Sequence, residues 1–151
     1  MAQEVLVINE WLLHDLGGRN GSASREQALG FLQSLPARQD RIAIAQATPW
    51  VNKAYQLMKS TDPASRFVSK LLHSILLDPD VCIMLPCANS DVIPLPIREI
   101  TPPDDLYLVA IYFASHASAL VTTDQRLIDT LSIHQEVVLQ SRDAFLQRYL
   151  V

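Results

Sequence analysis

The sequence predicts an α/β protein: a three-layer sandwich in which helices flank a mostly parallel, Rossmann-like central sheet of about five strands. Short apolar runs alternate along the chain with longer segments of helical periodicity. This alternation is typical of parallel strands joined by crossover helices. A chain of 151 residues, 49% of them hydrophobic, is long enough to bury roughly two thirds of its unfolded surface. We therefore expect a single domain over residues 1–151.

The predicted strands are the apolar runs at residues 4–8, 41–45, 81–85, 118–122 and 136–140. Most are rich in valine, isoleucine and leucine, as are strands that helices cover on both faces. Cys82 lies inside the third run and is expected to be a buried thiol. Cys87 is its sole companion, and this pair is too small for a disulfide framework or a zinc site.

Several predicted helices begin at residues that favour helix N-termini. The first helix is expected to begin at or soon after Asn9, and the pattern of Ser24 and Gln27 predicts a capping box that opens the second. The proline-rich residues 86–103 are expected to form an extended connection, followed by an apolar helix that begins at Asp104 or Asp105. Further N-caps are expected at Thr48, Asp62 and Ser141.

The charge balance argues against a protein that holds nucleic acid by bulk electrostatics, since the formal net charge is −4 and the pI is about 5.4. It is compatible with a nuclease whose acidic pocket binds divalent cations, because such cations bridge carboxylates to phosphate. No apolar run approaches the length of a membrane span, and the first residues lack the basic flank of a signal peptide. A cytoplasmic protein without membrane contact is therefore expected.

Polar and acidic side chains follow two of the predicted strands. Asn9 and Glu10 come directly after the first strand, and residues 122–124, Thr-Thr-Asp, come after the fourth. Ligands of open α/β sheets gather at the carboxyl ends of the strands. We therefore expect these side chains to share a pocket at that edge of the sheet.

A pair of acids precedes the fourth strand. Asp104 and Asp105 open the helix that leads into it, and a helix start lies at the same edge as the carboxyl end of a neighbouring strand. The sequence therefore predicts that the carboxylates of Asp105 and Asp124 approach one another closely. Clustered carboxylates raise each other's pKa unless a cation lies between them, and an all-oxygen set suits Mg²⁺ or Mn²⁺. The chemistry of such a site is attack of a metal-activated water on a phosphodiester.

Each of these residues also has a purely structural interpretation. Asp124 is a good N-cap for the helix that follows it, and Asp104 and Asp105 suit the first turn of a helix because they favour its dipole. Asn9 suits a cap of the first helix, and Glu10 suits a solvated position beside it. The four histidines show no metal-ligand spacing.

The segments "VLVINEWLL", "PPDDLYLVAIYFASHASALVTTDQRL" and "EVVLQSRDAFL" together resemble a PIN domain. The resemblance covers nearly the whole chain in order and spacing and is strongest over residues 102–127. It implies a Rossmann-like parallel sheet, a Mg²⁺- or Mn²⁺-dependent ribonuclease activity on RNA, and often a toxin paired with an antitoxin-like protein.

The resemblance also implies roles for individual residues. Asp105 matches the family's acid at the start of the helix, and Asp124 matches the acid after the fourth strand, with Thr122 or Thr123 as its hydroxyl neighbour. The first family acid falls on Asn9, with Glu10 as a substitute one residue further on. The acid usually found in the helix after the second strand falls nearest to Asn52.

Two of the expected acids are thus asparagines, which bring no charge to a hard cation. The leading hypothesis is a PIN-like endoribonuclease in which Asp105 and Asp124 hold the metal, assisted by Glu10 or Asn9. The alternative is a catalytically degenerate PIN-like domain that serves as a binding or assembly module. A receiver or a hydrolase of another class is disfavoured, since the lysines lie in predicted helices. The apolar helices, with Trp50, Tyr55, Leu57 and Phe113, make a homodimer plausible.

Overall fold

A computed structural model describes residues 3–60 and 62–151 of the chain as an α/β fold with a five-stranded, all-parallel sheet. The strands are β1 (Val5–Ile8), β2 (Arg41–Ala45), β3 (Cys82–Leu85), β4 (Ala119–Thr122) and β5 (Leu139–Ser141). Their order in the sheet is β3-β2-β1-β4-β5. β1 and β4 are neighbours, and Ile8 pairs with Val121 at their carboxyl ends. The predicted sandwich with a parallel central sheet is confirmed.

Helices follow or precede each strand. They are α1 (Trp11–Leu16), α2 (Ser22–Arg38), α3 (Pro49–Met58), α4 (Pro63–Leu76), α5 (Leu95–Ile100), α6 (Leu106–Ala114), α7 (Gln125–Leu131) and α8 (Arg142–Tyr149). None of these described helices is both long and apolar enough to cross a membrane.

The two faces of the sheet pack into two separate cores. One core lies against α1, α2, α3, α4 and α8 and contains an aromatic cluster of Trp11, Phe31, Phe145 and Tyr149. The other lies against α5, α6 and α7 and includes nearly all of α6. Because α6 is apolar on most sides and largely buried, packing fixes its position and that of Asp105 at its N-cap.

Several predicted caps are confirmed. The Thr48 hydroxyl accepts a hydrogen bond from Val51 N (3.4 Å), and the Ser141 hydroxyl accepts one from Ala144 N (3.3 Å). Asp62 is at the N-cap of α4, but its carboxylate accepts from the Ser65 hydroxyl (3.3 Å) and makes no capping bond to the backbone. Cys82 is buried, as expected, and both tryptophans are buried as well, so Trp50 adds nothing to an exposed apolar surface.

The predicted start of α2 was wrong. This helix begins at Ser22, with Gly21 at the N-cap at φ +93°, a backbone conformation that glycine adopts without strain. Ser24 therefore lies inside the first turn and forms no capping box with Gln27. The glycine, rather than a side-chain hydroxyl, allows the chain to turn into the helix.

Two further boundaries differ from the prediction. Residues 86–103 contain α5 and a 3-10 turn at Ser90–Val92 rather than one extended connection; prolines at 94 and 96 fit the start of α5, where backbone N–H groups have no helical partner. A second 3-10 turn, Pro103–Asp105, precedes α6, which therefore begins at Leu106.

The fifth strand lies later than the predicted residues 136–140. The hydroxyl of Tyr112 donates to Glu136 O (3.0 Å) and accepts from Val138 N (3.0 Å). This contact from α6 occupies backbone groups that a strand would use for pairing, so regular pairing with β4 begins at Leu139.

Candidate active site

The candidate site lies at the carboxyl edge of the sheet, above the neighbouring strands β1 and β4. Asn9 and Glu10 follow β1, Asp124 follows β4, and Asp105 is the N-cap residue of α6. A cavity of about 600 Å³ opens at this edge, and Asn9, Glu10, Asp104 and Asp105 line it. The parallel topology thus gathers residues that are far apart in sequence.

Thr122 and Asn9 join the ends of the two strands. Thr122 is fully buried, and its hydroxyl oxygen accepts hydrogen bonds from Asn9 Nδ2 (2.7 Å) and from Asp124 N (3.0 Å). The Asn9 carbonyl oxygen accepts from Trp11 N (3.0 Å) at the start of α1. Asn9 therefore joins the ends of the two strands to the start of α1 through its amide N–H and its carbonyl oxygen.

The negative charge of Asp124 acts on the carboxyl group of Asp105 at this edge of the sheet. The pKa of Asp105 is raised from 3.8 to about 6, first by burial and then by the charges of Asp124 and Asp104, with a smaller effect of Glu10. The effect of the Asp124 charge on Asp105 is what two carboxylates at one edge of the sheet are expected to show. At neutral pH the pair holds unfavourable negative charge, which a proton or a cation would relieve.

Asp124 also caps α7, as its structural interpretation proposed. Its Oδ1 accepts hydrogen bonds from Arg126 N (3.0 Å) and Leu127 N (3.3 Å). Its other carboxylate oxygen makes neither of these bonds. Capping and pairing with Asp105 are therefore compatible in one side chain, and the cap fixes the carboxylate at the strand end.

Glu10 forms an ion pair with Lys53 of α3, with 2.9 Å between Oε2 and Nζ. The Tyr107 hydroxyl donates to Glu10 Oε1 over 3.5 Å, and burial together with the charge of Glu10 raises the pKa of that phenol. Both partners reach Glu10 from other elements, α3 and α6. Lys53 and Tyr107 were missed as site residues, because neither their spacing nor their neighbours in the sequence indicate that they face Glu10.

The remaining predicted residues lie around this centre. Asp104 is exposed at the rim of the cavity. Thr123 is exposed and lines a different depression, beside Arg142. Asn52 is exposed on α3 and does not line the cavity at the sheet edge.

The donor set determines what the site can hold. Within residues 3–60 and 62–151, no group of three or more histidine, cysteine or acidic side chains is arranged to hold a metal ion. The Asp105–Asp124 pair by itself fits Mg²⁺ or Mn²⁺, because Mg²⁺ typically keeps several waters and needs only one or two protein carboxylates. Burial first, and the charges of Asp124 and Asp104 second, raise the pKa of Asp105, and a cation would offset the effect of those charges.

Comparison with known proteins gives no assignment at this point: no family model, no curated protein and no solved structure matches the chain.

Proposed function

We propose that this chain is a PIN-like endoribonuclease that cleaves RNA phosphodiesters with Mg²⁺ or Mn²⁺. The observation that supports the proposal best is the pairing of Asp105 with Asp124 at the carboxyl edge of a parallel sheet, where Asp105 lines a cavity open to solvent. Ligands of such sheets bind at this edge. A close pair of carboxylates there, with one pKa raised to about 6, is typical of functional sites.

The roles of the residues follow from their contacts. Asp105 and Asp124 hold the metal ion, while Thr122 and Asn9 keep the two strand ends in register. Glu10 adds negative potential at the pair. A bound divalent cation would lower the pKa of a water molecule bound to it and would neutralise negative charge on the phosphate. Asp105, with its pKa near 6, can accept a proton at neutral pH when no metal is bound.

Calorimetric titration with Mn²⁺ tests this proposal. We expect the wild-type chain to bind Mn²⁺ and the variant Asp105→Asn/Asp124→Asn to lose that binding. Asp78→Asn/Asp80→Asn is a matched control, because it removes the same charge from exposed residues in the loop before β3. Cleavage of single-stranded RNA should then require Mn²⁺ and stop with EDTA. Equal Mn²⁺ binding by the wild type and the Asp105/Asp124 variant would overturn the assignment.

A second candidate function is a metal-free PIN-like binding or assembly module. The observation that favours it is the Glu10–Lys53 ion pair, which places a lysine charge against the third carboxylate near the site. Asn9 is also engaged with Thr122 and Trp11. This function predicts no Mn²⁺ binding at millimolar metal and no RNA cleavage by the wild type, with Asp124 serving only as the cap of α7.

A further inference from the structure

A second depression lies beside the acidic cavity, between the carboxyl end of α1 and α3. This basic groove has a volume of about 410 Å³ and is lined by His14 and Arg19 on one side and Lys53, Gln56 and Ser60 on the other. Two of these side chains are permanent cations, and the others offer hydrogen-bond donors. Among the described residues that line it, none is acidic.

One polar side chain of the basic groove, His14, has a ring nitrogen without a hydrogen-bond partner among the described residues. His14 Nε2 is shielded from solvent and makes no hydrogen bond to any described residue. Most buried polar atoms in folded proteins have a partner, so this nitrogen retains an unused hydrogen-bonding capacity at a residue that lines the groove. Lys53 and Arg19 both act on the His14 ring and, after burial, are the next causes that lower its pKa, against Glu10 and Asp15, which raise it. Both permanent cations of the lining thus act on the same ring.

We propose that the basic groove binds a phosphate group, which Arg19 and Lys53 hold by charge and to which His14 contributes a hydrogen bond. Arginine and lysine are the side chains that proteins use most for phosphate. Leu13, Gly17 and Leu57 complete the lining of the groove, so the polar groups that a phosphate would contact come from the other five residues. The phosphate belongs either to a small phosphate compound or to the backbone of RNA.

The position of Lys53 links the basic groove to the acidic site. Its ammonium group contacts Glu10, which lines the acidic cavity, while Lys53 itself lines the groove. A phosphodiester chain bound at Asp105 and Asp124 that extended past Glu10 would meet Lys53 and the groove. This extension to RNA rests on the proposed function; phosphate binding itself does not.

Histidine NMR with inorganic phosphate tests the inference. His14 is assigned with the variant His14→Gln, and phosphate is titrated in EDTA at constant pH and ionic strength. We expect the His14 ring resonances to shift to saturation in the wild type. The affinity should fall at least tenfold in Arg19→Gln/Lys53→Gln and clearly in Arg19→Gln alone. Arg66→Gln/Lys70→Gln, which removes the same charge from exposed residues of α4, should bind as the wild type does.

Two results would overturn the proposal: no saturable shift of His14 in the wild type, or an equal shift in Arg19→Gln/Lys53→Gln. A second arm uses a short single-stranded RNA under the same EDTA conditions. If RNA also shifts the His14 resonances and competes with phosphate for the groove, the phosphate group that binds there belongs to the RNA backbone. If phosphate shifts them and RNA does not, the groove binds a small phosphate compound. Because no metal is present, failure of the Mn²⁺ experiment and failure of this one are separate outcomes.

Discussion

At the scale of single residues, the protonation of Asp105 in the candidate site makes the stability of the fold depend on pH. Its pKa is 3.8 without the fold and about 6 within it, so the folded state binds its proton more tightly. The stability that the protonated Asp105 carboxyl contributes to the fold is present in full below about pH 4, and it is lost as the pH rises through 6. Above that pH the ionised pair destabilises the fold, as is common for functional sites.

Asp105→Asn should therefore stabilise the chain at pH 7.5 and have little effect at pH 4. We expect a gain of about 1–2 kcal/mol in the free energy of unfolding, less than the full shift implies because the carboxyl is partly solvated. Urea unfolding at both pH values measures it. Asp80→Asn, at an exposed position, should show no such dependence. An equal gain for Asp105→Asn at both pH values would contradict this account.

The two roles of Asp124 can be separated by two substitutions. Asp124→Ala removes the cap of α7 and should cost about 1 kcal/mol of stability. Asp124→Asn keeps an oxygen that caps nearly as well, so its stability should stay within a few tenths of a kcal/mol of the wild type. Both should weaken Mn²⁺ binding, and Asp124→Asn should return the pKa of Asp105 towards its usual range, as measured by carboxyl NMR.

One pattern of results would contradict a metal-binding role for Asp124. Unchanged Mn²⁺ binding in Asp124→Asn, together with a loss of stability in Asp124→Ala, would leave Asp124 as a cap alone. The same pattern would favour the binding-module function over the nuclease.

At the scale of elements, the Glu10–Lys53 ion pair connects the start of α1 to α3 and restrains Glu10. Lys53→Met should release Glu10 towards Asp105 and raise the affinity for Mn²⁺ by roughly two- to fivefold, since a partly exposed ion pair is worth about 1 kcal/mol or less. Stability should change by no more than that. The double variant Glu10→Gln/Lys53→Met should lose the gain in affinity. A fall in Mn²⁺ affinity on Lys53→Met alone would contradict this role.

The elements also show what the sequence could predict. Strands β1 to β4 follow from apolar runs, and their carboxyl ends could be placed on one edge because parallel topology leaves no other arrangement. β5 was displaced because Tyr112, distant in sequence, bonds to the backbone at residues 136 and 138. Lys53 was missed for the same reason: its partner Glu10 is separated from it by 43 positions. Tertiary contacts of this kind leave no local pattern.

At the scale of the whole molecule, the site depends on the alignment of strand ends by packing on both faces of the sheet. The core around Phe31, Phe145 and Tyr149 holds α2 and α8 against one face, and buried α6 covers the other. Composition and periodicity predicted these layers. They could not predict that a buried ion pair joins the first helix to the last.

This ion pair connects Asp15 of α1 with Arg142 of α8, with 2.7 Å between Oδ2 and Nε. The side chain of Asp15 is 1% exposed and that of Arg142 12% exposed. Arg142 also lies over the Trp11 ring at 5.3 Å, and Asn20 Nδ2 donates to Asp15 Oδ1 (2.7 Å). Removal of the arginine alone would leave a buried carboxylate with only the neutral Asn20 partner.

Arg142→Met should therefore cost about 3–5 kcal/mol of stability, a large share of the total of about 5–15 kcal/mol for a domain. Asp15→Asn/Arg142→Met should recover most of that loss, because no uncompensated charge remains buried and the methionine still packs on Trp11. Urea unfolding of both single variants and the double variant measures the coupling energy. If the double variant is as unstable as the sum of the two single ones, the pair does not act as a unit, and the attachment of α8 to α1 comes from apolar packing alone.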